Sequence, residues 1–175
     1  MLAWIDLETT GLDYTTCGIL EVALVITDND LTEVHAESHV LHYHGDPAGM
    51  GVDPYVIAMH TKNGLWAECA AGDKKDKSLV EADLLAAMRR FTEPRTVPMC
   101  GSTIAFDRMF LRRNMPALEK HFHYRNVDVS TVGELAARWY PEKWDKRPKG
   151  DAHRALTDIR QSVELARYWR REVFR

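Results

Sequence analysis

The stretch WIDLETTGLD, residues 4–13, constrains this chain more than any other. It opens as an apolar strand, and because strand side chains alternate between faces, Asp6 and Glu8 point one way while Ile5 and Leu7 point the other. Gly11 then breaks the run into a turn. Two anions side by side repel, which in an ordinary strand is a cost. A divalent cation reverses that balance, because hard oxygen ligands are what Mg²⁺ and Mn²⁺ take. The stretch therefore points to a strand that carries a cation site.

The order of elements behind it narrows the fold class. Ile19 to Asp28 reads as a mostly buried strand, and Glu33 to Tyr43 alternates like a third with one exposed face, which predicts an antiparallel meander. Asp53 to His60 has an N-cap Asp followed by Pro54 at the first helical position. Ser78 to Phe91 reads as a helix capped by Ser78 with Glu81 three residues on. Strand Thr96–Ser102, helix Ile104–Met115 ending at Pro116, strand Tyr124–Ser130 and a helix from Ser130 to Pro141 follow. Residues 144–151 read as a loop. A long helix from His153 to Phe174 closes the chain, with Leu156, Ile159, Val163 and Ala166 in one stripe. Three meander strands followed by alternating helix and strand predict one α/β layered domain over residues 1–175, with a mixed sheet of about five strands flanked by helices.

Composition is that of an ordinary globular protein, 45% hydrophobic and 28% charged. No apolar run approaches a membrane span, and the first strand begins at Leu2 with no leader ahead of it, so no membrane association and a cytoplasmic location are expected. Cys17, Cys69 and Cys100 are odd in number and lack CxxC spacing, and they read as buried or semi-buried thiols. A net charge of −3 is unusual for a protein that grips long DNA or RNA through many phosphates. The charge is uneven: residues 1–88 carry −11 and residues 89–175 carry +8, which reads as scatter that the fold interleaves over the surface.

More groups suited to chemistry lie further along. Asp107 sits in an otherwise apolar and basic helix, among Ala105, Phe106, Met109 and Phe110. Asp158 lies in the first turns of the last helix, and His153 precedes it by five residues, about 140° of helical rotation, so the two share no helix face. Gly150 and Asp151 before it put His153 at or ahead of the cap, hanging over the helix start while Asp158 points inward. Each residue alone has an ordinary explanation: a surface ion pair for Asp6 or Glu8, a pair with Arg108 or Arg112 for Asp107, a capping role for His153. The pattern changes the odds, because D-x-E-x-T-G arises by chance in only roughly one chain in three hundred of this length.

WIDLETTGL, GSTIAFDRMFL and HRALTDI together resemble the three exonuclease motifs of the DEDD superfamily in its histidine-bearing form, which has a ribonuclease H-like fold. Within it the likeness is to the oligoribonucleases, through MHTKNGL (59–65), MPALEKHFHYRNVDVSTVGELAARWYP (115–141) and PKGDAHRAL, and it covers nearly the whole chain. Thr9 stands where that family usually has Met, and Thr103 and Phe106 also depart from it.

The resemblance implies a 3′ to 5′ exoribonuclease that degrades short single-stranded RNA, mainly dinucleotides, by hydrolysis with two divalent cations, Mg²⁺ or Mn²⁺. Asp6, Glu8 and Asp158 would hold one ion, Asp6 would bridge to the second with Asp107 in support, and His153 would take the proton of the attacking water. Leu12, Tyr55 and His60 would meet bases and the terminal sugar. Thr103, Tyr124, Arg125, Ser130 and Thr131 would grip a 5′ phosphate, with the 124–125 segment crossing between the copies of a homodimer. A DNA-directed or proofreading exonuclease is the rival reading, and a noncatalytic nucleic-acid-binding module is the other class.

Overall fold

The computed structural model describes residues 1–43, 45–71, 74–150 and 153–174. Strand β1 (Leu2–Thr9) pairs antiparallel with β2 (Ile19–Thr27), and β2 pairs antiparallel with β3 (Glu33–Val40), which is the expected meander. Helices α1 (Pro54–Lys62), α2 (Leu65–Ala70) and α3 (Lys77–Phe91) follow, then β4 (Met99–Gly101), α4 (Ala105–Asn114), α5 (Pro116–His121), β5 (Asn126–Asp128), α6 (Val129–Trp139), α7 (Pro141–Asp145) and α8 (Ala155–Glu172). The sheet order is β3-β2-β1-β4-β5, with β4 and β5 parallel to β1. Among the described residues no helix is long and apolar enough to cross a membrane.

Period-two alternation in β1 sorts the layers. Ala3, Ile5 and Leu7 face a core closed by Val80, Leu84 and Met88 of α3, Phe110 and Leu111 of α4 and Leu118 of α5. Trp4 faces the opposite core, closed by Ala136 of α6 and Ile159, Val163 and Trp169 of α8. Asp6 and Glu8 continue the Trp4 face, so the carboxylates emerge on the α8 side where that apolar layer ends. β2 is buried along its whole length because both of its edges are paired and both of its faces are covered.

Several boundaries differ from the sequence reading for identifiable reasons. β4 and β5 are three residues each, shorter than expected. β5 passes directly into α6 because Asp128 accepts from the Ser130 N–H at 2.9 Å and caps the helix. Pro116 and Pro141 begin α5 and α7 as well as ending what precedes them, since proline fits the first helical position; α7 thus occupies part of the expected 144–151 loop. Ser78 caps nothing. The cap of α3 is Asp76, and Glu81 turns instead to α5, where its Oε1 accepts from the Ala117 and Leu118 N–H groups at 2.6 and 3.1 Å. Asp53, in contrast, caps α1 as expected, accepting from Tyr55 at 2.7 Å. Asp151 lies outside the described residues.

The charge asymmetry resolves into ion pairs between the halves. Arg154 meets Glu21 and Glu68, Arg160 meets Glu33 and Arg170 meets Asp30, so the basic face of α8 lies on the acidic meander and α2. Cys69 and Cys100 are buried and Cys17 is half-buried; all three are free thiols.

Candidate active site

Two chain features deliver the acidic residues to one place. β1 runs on past its short pairing with β4, which covers only Ala3 and Trp4, so Asp6 and Glu8 extend beyond the parallel ladder. At Gly101 the chain passes so close to β1 that a Cβ there would sit 2.9 Å from the Ile5 carbonyl oxygen, and only glycine permits the approach. The chain then turns through Thr103, at φ 54°, into α4 and Asp107. On the other side the first turn of α8 brings Asp158 over the Trp4 face of β1.

One carboxylate oxygen each from Asp6, Glu8 and Asp158 lies within 4.8 Å of the others. Asp107 stands apart from that trio: it is buried, and its Oδ1 accepts from the Leu7 N–H at 3.0 Å. Arg108 and Arg112, its neighbours on α4, both donate instead to Glu119. Asp158 Oδ2 accepts from the Arg154 N–H at 3.0 Å and so closes the start of α8.

Burial and mutual repulsion push the acidic groups toward the protonated form. Asp6 is raised well above the usual carboxylate range, first by desolvation and then by the charges of Asp107, Glu8 and Asp158. Glu8 is pushed up to about 8 by burial, then by Asp158 and Glu21. Burial raises Asp107 to about 7 against the opposing hydrogen bond from Leu7. Such a cluster is costly as bare anions and favourable around a cation, so the donor set fits a hard divalent ion.

These shifts set a pH dependence. Each group binds protons more tightly folded than unfolded, where carboxyls titrate near about 4. Their contribution to stability is complete below that value and is lost as pH rises through about 8. In EDTA, the melting temperature should fall between pH 5 and pH 8.5, and saturating Mg²⁺ should offset the fall. A pH-independent melting temperature in EDTA would mean that the carboxylates are not repelling one another in the folded state.

Asp6, Glu8, His153 and Asp158 line one cavity of about 840 Å³ with Ser102, Arg147 and Lys149. His153 precedes the α8 cap, Arg154, in a left-handed conformation at φ 48°, and Asn63 Nδ2 donates to its carbonyl oxygen. His60 is buried with its Nε2 3.7 Å from Glu8 Oε2 and its ring edge-on to Trp66. Burial lowers the basicity of its imidazole.

The remaining sequence-derived residues lie elsewhere. Leu12 and Tyr55 are 84% and 70% exposed and lie outside the acidic cavity. Thr103 and Ser130 meet: the Thr103 N–H donates to Ser130 Oγ at 3.0 Å and to Asp128 Oδ1 at 3.1 Å. Thr131 is exposed on the first turn of α6. Tyr124 is 69% exposed with the Arg125 guanidinium 5.5 Å from its ring centre, and neither lines the cavity. Sequence reasoning missed Glu21, Glu68, Asn63 and Arg154 around His153. A carboxylate inside the apolar run ILEVALVIT was the one local sign of them.

Fold and site together define a hydrolase of the exonuclease class, and residues 3–166 match the RNase T family of exonucleases. Oligoribonuclease from Halorhodospira halophila is 43% identical over 175 residues, covering 99% of this chain and 94% of its own length. Oligoribonuclease from Thiobacillus denitrificans is also 43% identical, covering 99% and 95%. The chain belongs to the oligoribonuclease family. Among solved structures, a zinc-bound Escherichia coli exonuclease I complex with single-stranded DNA matches with a TM-score of 0.72 at 14% identity. That likeness covers 99% of this chain and 41% of the other, and it is one of fold, the ribonuclease H-like exonuclease fold. Family membership and the acidic cluster together point to dependence on a divalent cation.

Proposed function

We propose that the chain is a 3′ to 5′ exoribonuclease that hydrolyses short single-stranded oligoribonucleotides, above all 5′-phosphorylated dinucleotides, to mononucleotides with two divalent cations, Mg²⁺ or Mn²⁺. The observation that carries this reading is the trio Asp6, Glu8 and Asp158 opening with His153 into one cavity, in a chain 43% identical to oligoribonucleases over nearly its full length.

Asp6, Glu8 and Asp158 would hold one cation, and Asp107 would support a second together with Asp6. When bound, the cations act as Lewis acids for the charge that builds on the phosphate and the leaving oxygen. An imidazole nitrogen of His153 takes the proton of the attacking water. Leu12 and Tyr55, both exposed, pack against the bases, and His60 supports Glu8 near the terminal sugar. Arg125 forks onto a 5′ phosphate with Tyr124, Thr103, Ser130 and Thr131 around it. The likeness to the oligoribonucleases implies that the 124–125 segment crosses to the site of a second copy in a homodimer, and the exposure of Tyr124 leaves it available for that role.

The deciding experiment is hydrolysis of end-labelled RNA and DNA of two to about twenty nucleotides, with Mg²⁺ or EDTA. Fast turnover of diribonucleotides, steep loss with length and a shallow salt dependence reflecting about one or two phosphates support the reading. Equal rates on long DNA would favour a DNA-directed exonuclease, and absence of metal-dependent cleavage would favour a binding module. Arg125→Ala should weaken phosphorylated dinucleotides by roughly 1.5 to 3 kcal/mol, the scale of a charge-assisted hydrogen bond, and unphosphorylated ones much less. An unchanged 5′-phosphate preference would remove Arg125 from the site.

A further inference from the structure

The Arg154 side chain ties together three elements behind the site, β2, α2 and the start of α8. Its Nε donates to Glu21 Oε2 of β2 at 3.0 Å, its Nη1 to Glu68 Oε1 of α2 at 2.8 Å and its Nη2 to Glu68 Oε2 at 3.1 Å. Glu21 is buried and is held in turn by the Ser38 hydroxyl at 2.8 Å and the Ala155 N–H at 3.2 Å. The Arg154 main chain caps α8 and donates to Asp158. Both the side chain and the backbone of this residue are therefore pinned.

The residue just before it is His153, whose left-handed backbone is unfavourable for any side chain with a Cβ. Such a conformation persists only where its surroundings impose it. Here they do so from both sides: Asn63 holds the His153 carbonyl, and the fork between Glu21 and Glu68 holds the peptide that follows. A planar guanidinium suits this bridge because it presents several donors at fixed angles to two carboxylates, which an ammonium does not.

We infer that Arg154 is a positioning residue: its bridge to Glu21 and Glu68 holds His153 in the left-handed turn that aims the imidazole into the acidic cavity. The inference rests on the reading of His153 as the general base. Arg154 also lies close enough to Glu8 to favour its ionised form, so a purely electrostatic role is the competing account.

A double-mutant cycle separates the two. Wild type, Arg154→Gln, His153→Ala and the double variant, all full length, are assayed on a 5′-phosphorylated diribonucleotide in Mg²⁺, and each apo protein is titrated with Mn²⁺ by calorimetry. Arg154→Gln should lower kcat by about 10- to 100-fold, the usual scale for a residue supporting a catalytic group, with KM and Mn²⁺ affinity little changed. The double variant should be no slower than His153→Ala, because the bridge has nothing left to aim. A double variant slower by the full Arg154→Gln factor, or loss of Mn²⁺ binding in Arg154→Gln, overturns the inference and leaves the general-base reading standing. Near wild-type kcat in His153→Ala overturns the general-base reading itself and the inference with it. Should Arg154→Gln fail to fold, Glu68→Ala decides, since that side chain is 42% exposed and its truncation removes both acceptor oxygens of one arm of the bridge. A fall in kcat that disappears in the His153→Ala background supports the inference. A fall that persists there, or no fall at all, overturns it.

Discussion

Asp6→Asn should lower kcat by about 10³-fold or more in saturating Mg²⁺, since a cation in such a site is worth several kcal/mol of transition-state stabilisation. The same variant should leave the melting temperature in EDTA unchanged or raised. Asp6 is held among Asp107, Glu8, Asp158 and Glu21, and a neutral amide in its place removes their repulsion and a desolvated charge. Glu8→Gln and Asp158→Asn should behave alike, as members of the same trio. Asp107→Asn is the informative fourth: its amide oxygen can still accept from the Leu7 N–H, so lost turnover there would report the lost charge and not a broken turn. Near wild-type turnover in any of the four would take that residue out of cation binding.

His153→Ala should lose about 10² to 10⁴ in kcat, the range for a positioned general base, while Mn²⁺ affinity measured by calorimetry is retained. The two measurements pull apart two roles that the cavity alone leaves adjacent, because His153 shares its lining with Asp6, Glu8 and Asp158. Loss of Mn²⁺ binding in His153→Ala would make the residue a ligand, and the proton would then need another acceptor.

The strand that opens the chain was legible because its signal is strictly local. A period of two puts Ala3, Ile5 and Leu7 on one core and Trp4, Asp6 and Glu8 on the opposite face, and no distant contact can change that parity. Helix α1 was legible for the same reason, with Asp53 and Pro54 acting within one turn. Ser78 and Glu81 had equally good local credentials and were misread. A carboxylate that can cap its own helix can also cap another, and the amides of Ala117 and Leu118 lie within its reach only in the folded chain. The short helices α5 and α7 escaped notice because a proline ends one helix and begins another with the same residue.

The acidic and basic residues of the site were legible as types and spacings, and their separation along the chain was not an obstacle to that. The local sequence places His153 ahead of α8 and Asp158 inside it, and it places Asp107 on an apolar helix that has no evident use for it. By itself, then, the sequence determined the strand parity, the meander and the identity of the groups that hold charge, because these follow from side-chain alternation and from contacts within a turn or two. The tertiary structure alone decided which of those groups meet and what holds them. Asp6, Glu8 and Asp158 converge because α8 folds back across β1, and Arg154 bridges to Glu21 across 133 residues. A hydrogen bond of about 3 Å between such distant residues depends on the whole packing of the sheet and its helices, and no local rule of sequence carries that information.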